Sequence, residues 1–111
     1  MGPTPFEIDS ASAGEAGRLT LSGEIDLATV ARVEQAVDAL LAGGARTLVI
    51  DLARVSFIDS SGLRLFIVLD QRAAAEGWRL SLTQPQKQAM TVFRVSGVVD
   101  SLPFAEDRTT A

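Results

Sequence analysis

No cysteine and no histidine occurs anywhere in the 111 residues. Their absence rules out a zinc site built on thiolates or imidazoles, a cysteine nucleophile and a Ser-His-Asp triad. A chain without cysteine also fits a reducing compartment. Basic residues are scarce: ten Lys and Arg stand against 14 Asp and Glu, for a net charge of −4, and Lys87 is the single lysine. A nucleic-acid surface needs a clustered basic excess, so no direct nucleic-acid partner is expected. Long apolar runs are missing too. The longest, over 65–69, falls far short of the roughly 20 residues that cross a bilayer, so no membrane insertion is expected. Met1-Gly2-Pro3-Thr4-Pro5 shows no basic region followed by an apolar stretch, as a secretory signal would. A cytoplasmic location is therefore expected. Glycines never cluster before a helix as a phosphate-binding loop requires; Gly43-Gly44 and Gly77 read as helix stops. No cofactor and no metal is expected.

What is present is an ordinary globular mixture, 47% hydrophobic and 22% charged, in a length suited to one domain. The ends, about 1–5 and 105–111, read as loosely ordered. The stretch LVIDLARVSFIDSSGLRLFIVL, over 48–69, organises the rest. Leu48, Val49 and Ile50 form the continuous apolar run of a strand covered on both faces, and Asp51 ends it. After a short link, Phe57 and Ile58 form a second apolar patch that anchors a turn to the core. Asp59-Ser60-Ser61-Gly62 then supplies short oxygen-bearing side chains that accept from the free amides of a first helical turn. Leu63, Phe66, Ile67, Val68 and Leu69 follow at helical spacing.

Around this centre the pattern is regular. Phe6 and Ile8 alternate with polar neighbours and predict a short strand, 10–17 a hairpin loop, and 18–22 a second strand paired antiparallel with the first. Gly23-Glu24-Ile25-Asp26 breaks that strand, and Asp26 is expected to cap a helix over about 27–41. Val30, Val33, Val37, Leu40 and Leu41 share one face of it. A further strand is predicted over 78–83, a third helix over 87–95 closed by Gly97, and a last apolar segment at Val98, Val99, Leu102 and Phe104. Strands separated by helices with short links predict an α/β domain with a mixed sheet.

An isolated Asp-Ser-Ser-Gly is most often just a good helix start. Here it follows a buried strand, at the carboxyl edge of the sheet where α/β domains tend to carry function. Two adjacent hydroxyls, Ser60 and Ser61, exceed what one cap requires, which leaves an exposed hydroxyl open to modification. Gly62 costs helix stability yet gives a partner close access to the backbone. Glu24 and Asp26 lack any further polar group to complete an acid/base site, so they are assigned to a binding face beside the serine turn. An enzyme with a serine nucleophile is disfavoured because no base accompanies it. Trp78 reads as core or sheet edge.

With these segments in view, the chain resembles the STAS domain family, and more narrowly the bacterial anti-sigma factor antagonists. The resemblance rests on LTLSGEIDLATV, LVIDLARVSFIDSSGLRLF and VFRVSGVVDSLPF, and covers nearly the whole chain. It implies a single STAS domain over 1–111, with a mixed four- to five-stranded sheet and helices packed mainly on one face. It implies phosphorylation at Ser60, with Ser61 mainly a cap, and a partner-binding face of Gly23, Glu24, Asp26, Asp59, Ser60, Ser61 and Gly62. The implied partners are an anti-sigma factor (a serine kinase of the histidine-kinase-like ATPase group) and a serine phosphatase. Within the same superfamily, the alternative is a STAS subunit of a lipid-transport or stress-sensing complex that docks its partner without phosphorylation. Members often carry a further C-terminal helix; with only 105–111 remaining, it is expected to be short or missing.

Overall fold

The computed structural model describes residues 5–105. Two strands, β1 (Glu7–Ala13) and β2 (Ala16–Ile25), open the chain as an antiparallel hairpin. Helix α1 (Val30–Ala42) then leads to the long central strand β3 (Thr47–Ile58) and helix α2 (Ser60–Glu76). Strand β4 (Arg79–Leu82), helix α3 (Lys87–Ser96) and a 3-10 turn (Val99–Ser101) complete it. The sheet order is β1-β2-β3-β4, with β2, β3 and β4 mutually parallel and β1 antiparallel at one edge. Connection length explains this layout: each parallel pair needs a crossover, here a helix, between its strands, while the hairpin needs only a turn. Phe104 forms a single parallel bridge to Leu82, which is all that represents a fifth strand.

Burial alternates along the strands and so identifies the covered face. Leu19, Leu21, Leu48, Ile50, Leu80 and Leu82 are buried, while Arg18, Thr20, Val49, Asp51, Arg79 and Ser81 between them are not. The helices close over the first set. Phe66 of α2 lies 6.2 Å from Phe93 of α3, and Phe93 meets Phe104 edge-to-face at 5.1 Å, which ties the C-terminal segment to the core. At the rim of α1 and α2, Arg72 pairs with Asp38 at 2.7 Å and with Glu76 at 3.0 Å.

Several boundaries differ from the sequence expectation. The hairpin loop is only Gly14-Glu15, since the ladder continues to the Ala13–Ala16 pair; small side chains at an exposed edge resist pairing no more than larger ones. Gly23 does not end β2. It marks a register irregularity with φ +94°, where a Cβ would lie 2.8 Å from the Pro5 carbonyl oxygen. Asp51 does not end β3 either. Burial pushes its carboxyl up, but hydrogen bonds from the Ala53 amide, the Thr83 hydroxyl and the Arg18 guanidinium outweigh that and hold it below the usual carboxylate range. A charge so fully partnered is tolerated within a strand. Nor is β3 covered on both faces, because Val49 looks out from the open side. Phe57, expected to anchor the turn, is 45% exposed, and Ile58 alone is buried there. Helix α1 begins at Val30 rather than near Leu27, for reasons given below. The looseness expected at the ends and the short or missing C-terminal helix fall almost entirely outside the described residues.

Candidate functional site

Strands β2 and β3 run parallel, so their last residues leave the sheet at the same edge. Glu24 pairs with Phe57 and Ile25 with Ile58, and the Asp59 amide then donates to the Ile25 carbonyl at 3.2 Å. Two stretches singled out in the sequence, Gly23–Asp26 and Asp59–Gly62, are thereby neighbours.

At the start of α2, Asp59 has an extended backbone and its Oδ1 accepts from the amides of Ser61 at 2.8 Å and Gly62 at 3.1 Å. Its own carbonyl accepts from Leu63 at 3.0 Å. The cap is therefore Asp59, not Ser61: in the first turn only the residue before the helix can fold its side chain back onto both amides. Ser60 is the first helical residue. It is exposed, and its hydroxyl makes no hydrogen bond among the described residues. Ser61 is half-buried. Gly62 faces inward, where a Cβ would lie 2.8 Å from Ile58 Cγ2 and 3.0 Å from Ile25 Cγ2. Its bare Cα lets the helix sit tight on the strand ends. This corrects the expectation that Gly62 opens the backbone to a partner. Gly23 is likewise buried beneath residues 5 and 6, so neither glycine offers a surface.

The entry to α1 is built differently. Asp26 does not cap the helix. Its carbonyl accepts from Thr29 and Val30 at 3.0 and 3.1 Å, and its Oδ1 accepts from the Ala28 amide at 3.0 Å, forming a turn ahead of the helix. Thr29 occupies the cap position without a side-chain cap bond, its hydroxyl instead accepting from the Asp26 amide at 2.9 Å. The turn lifts Leu27 into solvent, where it is 76% exposed.

Between the two helices runs a groove of about 220 Å³, lined by Leu27, Val30 and Glu34 on one side and Ser61, Arg64, Leu65 and Val68 on the other. Its floor is apolar, with one acid and one base facing each other across it. Of the residues proposed from the sequence, only Ser61 lines it; Ser60, Asp59, Glu24 and Asp26 do not. Leu27, Glu34 and Arg64 were not singled out, and Val68 was read only as part of the apolar helix face, though it is exposed. A signal existed for α2, since 61, 64, 65 and 68 recur at helical spacing on one stripe. None existed for Leu27, whose role depends on the turn before α1. Among the described residues no group of three or more potential metal ligands comes together.

A family model described as "Mlab, STAS domain" matches residues 8–103. BtrV of Bordetella bronchiseptica, named for an anti-sigma factor antagonist role, is 29% identical over 91 residues, covering 82% of this chain and 78% of BtrV. A crystal structure of an anti-sigma factor antagonist from Mycobacterium paratuberculosis superposes with a TM-score of 0.78 at 23% identity, over 96% of this chain and 90% of that one. The Bacillus cell fate determinant SpoIIAA has been solved in unphosphorylated and phosphorylated forms, with TM-scores of 0.71 and 0.66 at 23% and 24% identity. Each comparison spans 96% of this chain, and 92% and 96% of the respective SpoIIAA chains.

Proposed function

The chain belongs to the STAS domain family, and from that premise we propose that it is an anti-sigma factor antagonist switched by phosphorylation of Ser60. It acts by binding, not by catalysis, in the cytoplasm. In its unmodified form it docks onto an anti-sigma factor, itself a serine kinase of the histidine-kinase-like ATPase group, and so frees the sigma factor. The kinase transfers the γ-phosphoryl group of ATP to the Ser60 hydroxyl, with ADP as leaving group, and the complex separates. A serine phosphatase restores the hydroxyl.

The observation that carries this reading is the exposed Ser60 hydroxyl, held at the start of a helix that the Asp59 cap and the Gly62 contact lock onto the sheet. The relatives add weight: all three bear the antagonist role in their names, and one of them, SpoIIAA, has been solved with and without its phosphate. The physics follows from the position. A phosphate adds about −1.5 to −2 charge at neutral pH. The start of a helix tolerates negative charge, a contribution of roughly 0.3 to 1 kcal/mol, so the fold survives modification. At the interface the same dianion stands beside Asp59, with Glu24 and Asp26 on the adjoining strand end. Like charges brought together in a desolvated patch cost several kcal/mol, on the order of a hundred-fold in affinity.

Incubation with the cognate kinase and ATP, followed by intact-mass measurement and peptide mapping, tests the assignment. The expected result is a single phosphoryl group on Ser60 and none on the Ser60→Ala variant; mapping to Ser61 would overturn it. The family match, which extends to STAS domains as a whole, leaves room for a second reading, a STAS subunit of a lipid-transport or stress-sensing complex that docks through the same edge without phosphorylation. That reading expects no mass gain with any kinase.

A further inference from the structure

Ser60 does not itself line the groove, so beyond its own charge at the interface a phosphate there can act on the groove through a neighbouring side chain. We infer that Arg64 is that side chain: it captures the phosphate on Ser60 and is thereby withdrawn from the groove. This rests on the reading of Ser60 as the modified residue and specifies how the modification reaches the docking surface.

Arg64 is the one cation among the residues that line the groove, opposite Glu34 on α1. It is exposed, and it takes part in none of the ion pairs among the described residues. It stands four residues after Ser60 in the same helix. At 3.6 residues per turn, this places the two side chains about 40° apart around the axis and about 6 Å apart along it. Helical side chains lean toward the N-terminus, so the arginine stem points back over Ser60. Ser61 and Val68 lie farther round on the groove side, which leaves Arg64 between the serine and the groove.

The amides that usually receive an anion at a helix start are already engaged. Asp59 Oδ1 takes those of Ser61 and Gly62, and the Asp59 carbonyl takes that of Leu63. A phosphate on Ser60 therefore finds few free donors in the backbone and, within reach on the same helix, an exposed guanidinium with no ion-pair partner among the described residues. An acid followed four residues later by a base is the favoured order for an ion pair along a helix. A guanidinium also matches phosphate with two parallel hydrogen bonds, which a carboxylate partner across the groove must compete against. In the unmodified protein the groove presents an acid on one wall and a base on the other. In the modified protein only the Glu34 wall remains charged toward the groove. Any docked segment that placed an acid against Arg64 then loses its partner.

The test uses the full chain with phosphoserine installed genetically at position 60, titrated by phosphorus NMR. The other charged groups near this end of the two helices are Asp59 at the cap of α2, Glu24 and Asp26 at the end of β2, and Glu34 on α1; all stay constant when wild type and Arg64→Gln are compared. The second phosphate pKa should be about 0.2 to 0.4 pH unit lower in the wild type than in Arg64→Gln, with Arg64→Lys in between. Identical values in the three proteins would overturn the inference. Because the phosphate is installed during synthesis, the outcome is independent of whether a kinase modifies Ser60. Failure of the phosphorylation reading would show in the kinase assay instead.

Discussion

Two helices begin at the same edge of the sheet, and they begin in different ways. Helix α2 starts on Asp59, whose carboxylate holds two amides of the first turn, and its third residue is jammed against Ile25 and Ile58. Helix α1 starts on Thr29 with no side-chain cap, behind a turn that Asp26 closes and that leaves Leu27 largely in solvent. One start is rigid and presents a hydroxyl. The other is held by backward-looking bonds and presents an apolar side chain. The switch proposed above uses both: a fixed place for a charge, and an exposed apolar contact beside it for a partner to cover.

The comparison breaks most severely at Gly62. Gly62→Val should drive methyl groups into Ile58 and Ile25 and lower stability by about 3 kcal/mol in urea denaturation. If stability is unchanged, α2 is not locked in the way described. At the other start, Leu27→Asp should leave stability within about 0.5 kcal/mol while weakening a purified anti-sigma partner by about ten-fold or more, as loss of an interface anchor does. Unchanged affinity would remove Leu27 from the docking surface. The finest contrast lies in the acids themselves. Asp59→Ala should cost about 1 kcal/mol as a true cap, and Asp26→Ala about 0.5 kcal/mol or less, because its carboxylate serves a turn and not the helix. Equal losses in thermal unfolding would erase the distinction between the two starts.

The same contrast explains what could be read from the residues alone. Alternation over 18–22 and 78–82 was legible because one sheet face is buried and the period-2 pattern survives any detail of pairing. The Asp-Ser-Ser-Gly start was legible because capping is local. The continuation of β3 through Asp51 was not: its partners Arg18 and Thr83 lie 33 and 32 residues away, beyond any local window. Asp26 was expected to cap α1 and Ser61 to cap α2, and only the backbone path shows that Asp59 is the acid that reaches its helix amides. The inward role of Gly62 depends on Ile25 in another strand, so helix propensity gave it the wrong reason. The groove exists only once residues 27–34 and 61–68 are side by side. Its charged walls, Glu34 and Arg64, carried no signature of their own.

The central claim is that charge on Ser60 abolishes docking while the domain stays folded. The direct measurement is the dissociation constant of the unmodified and Ser60-phosphorylated chains for the purified cognate anti-sigma factor, taken with the unfolding transition of each. The account predicts an affinity lower by about a hundred-fold after modification, with transitions that differ by no more than a few degrees. Equal affinities would contradict it, and so would a loss of binding that comes with loss of the folded state.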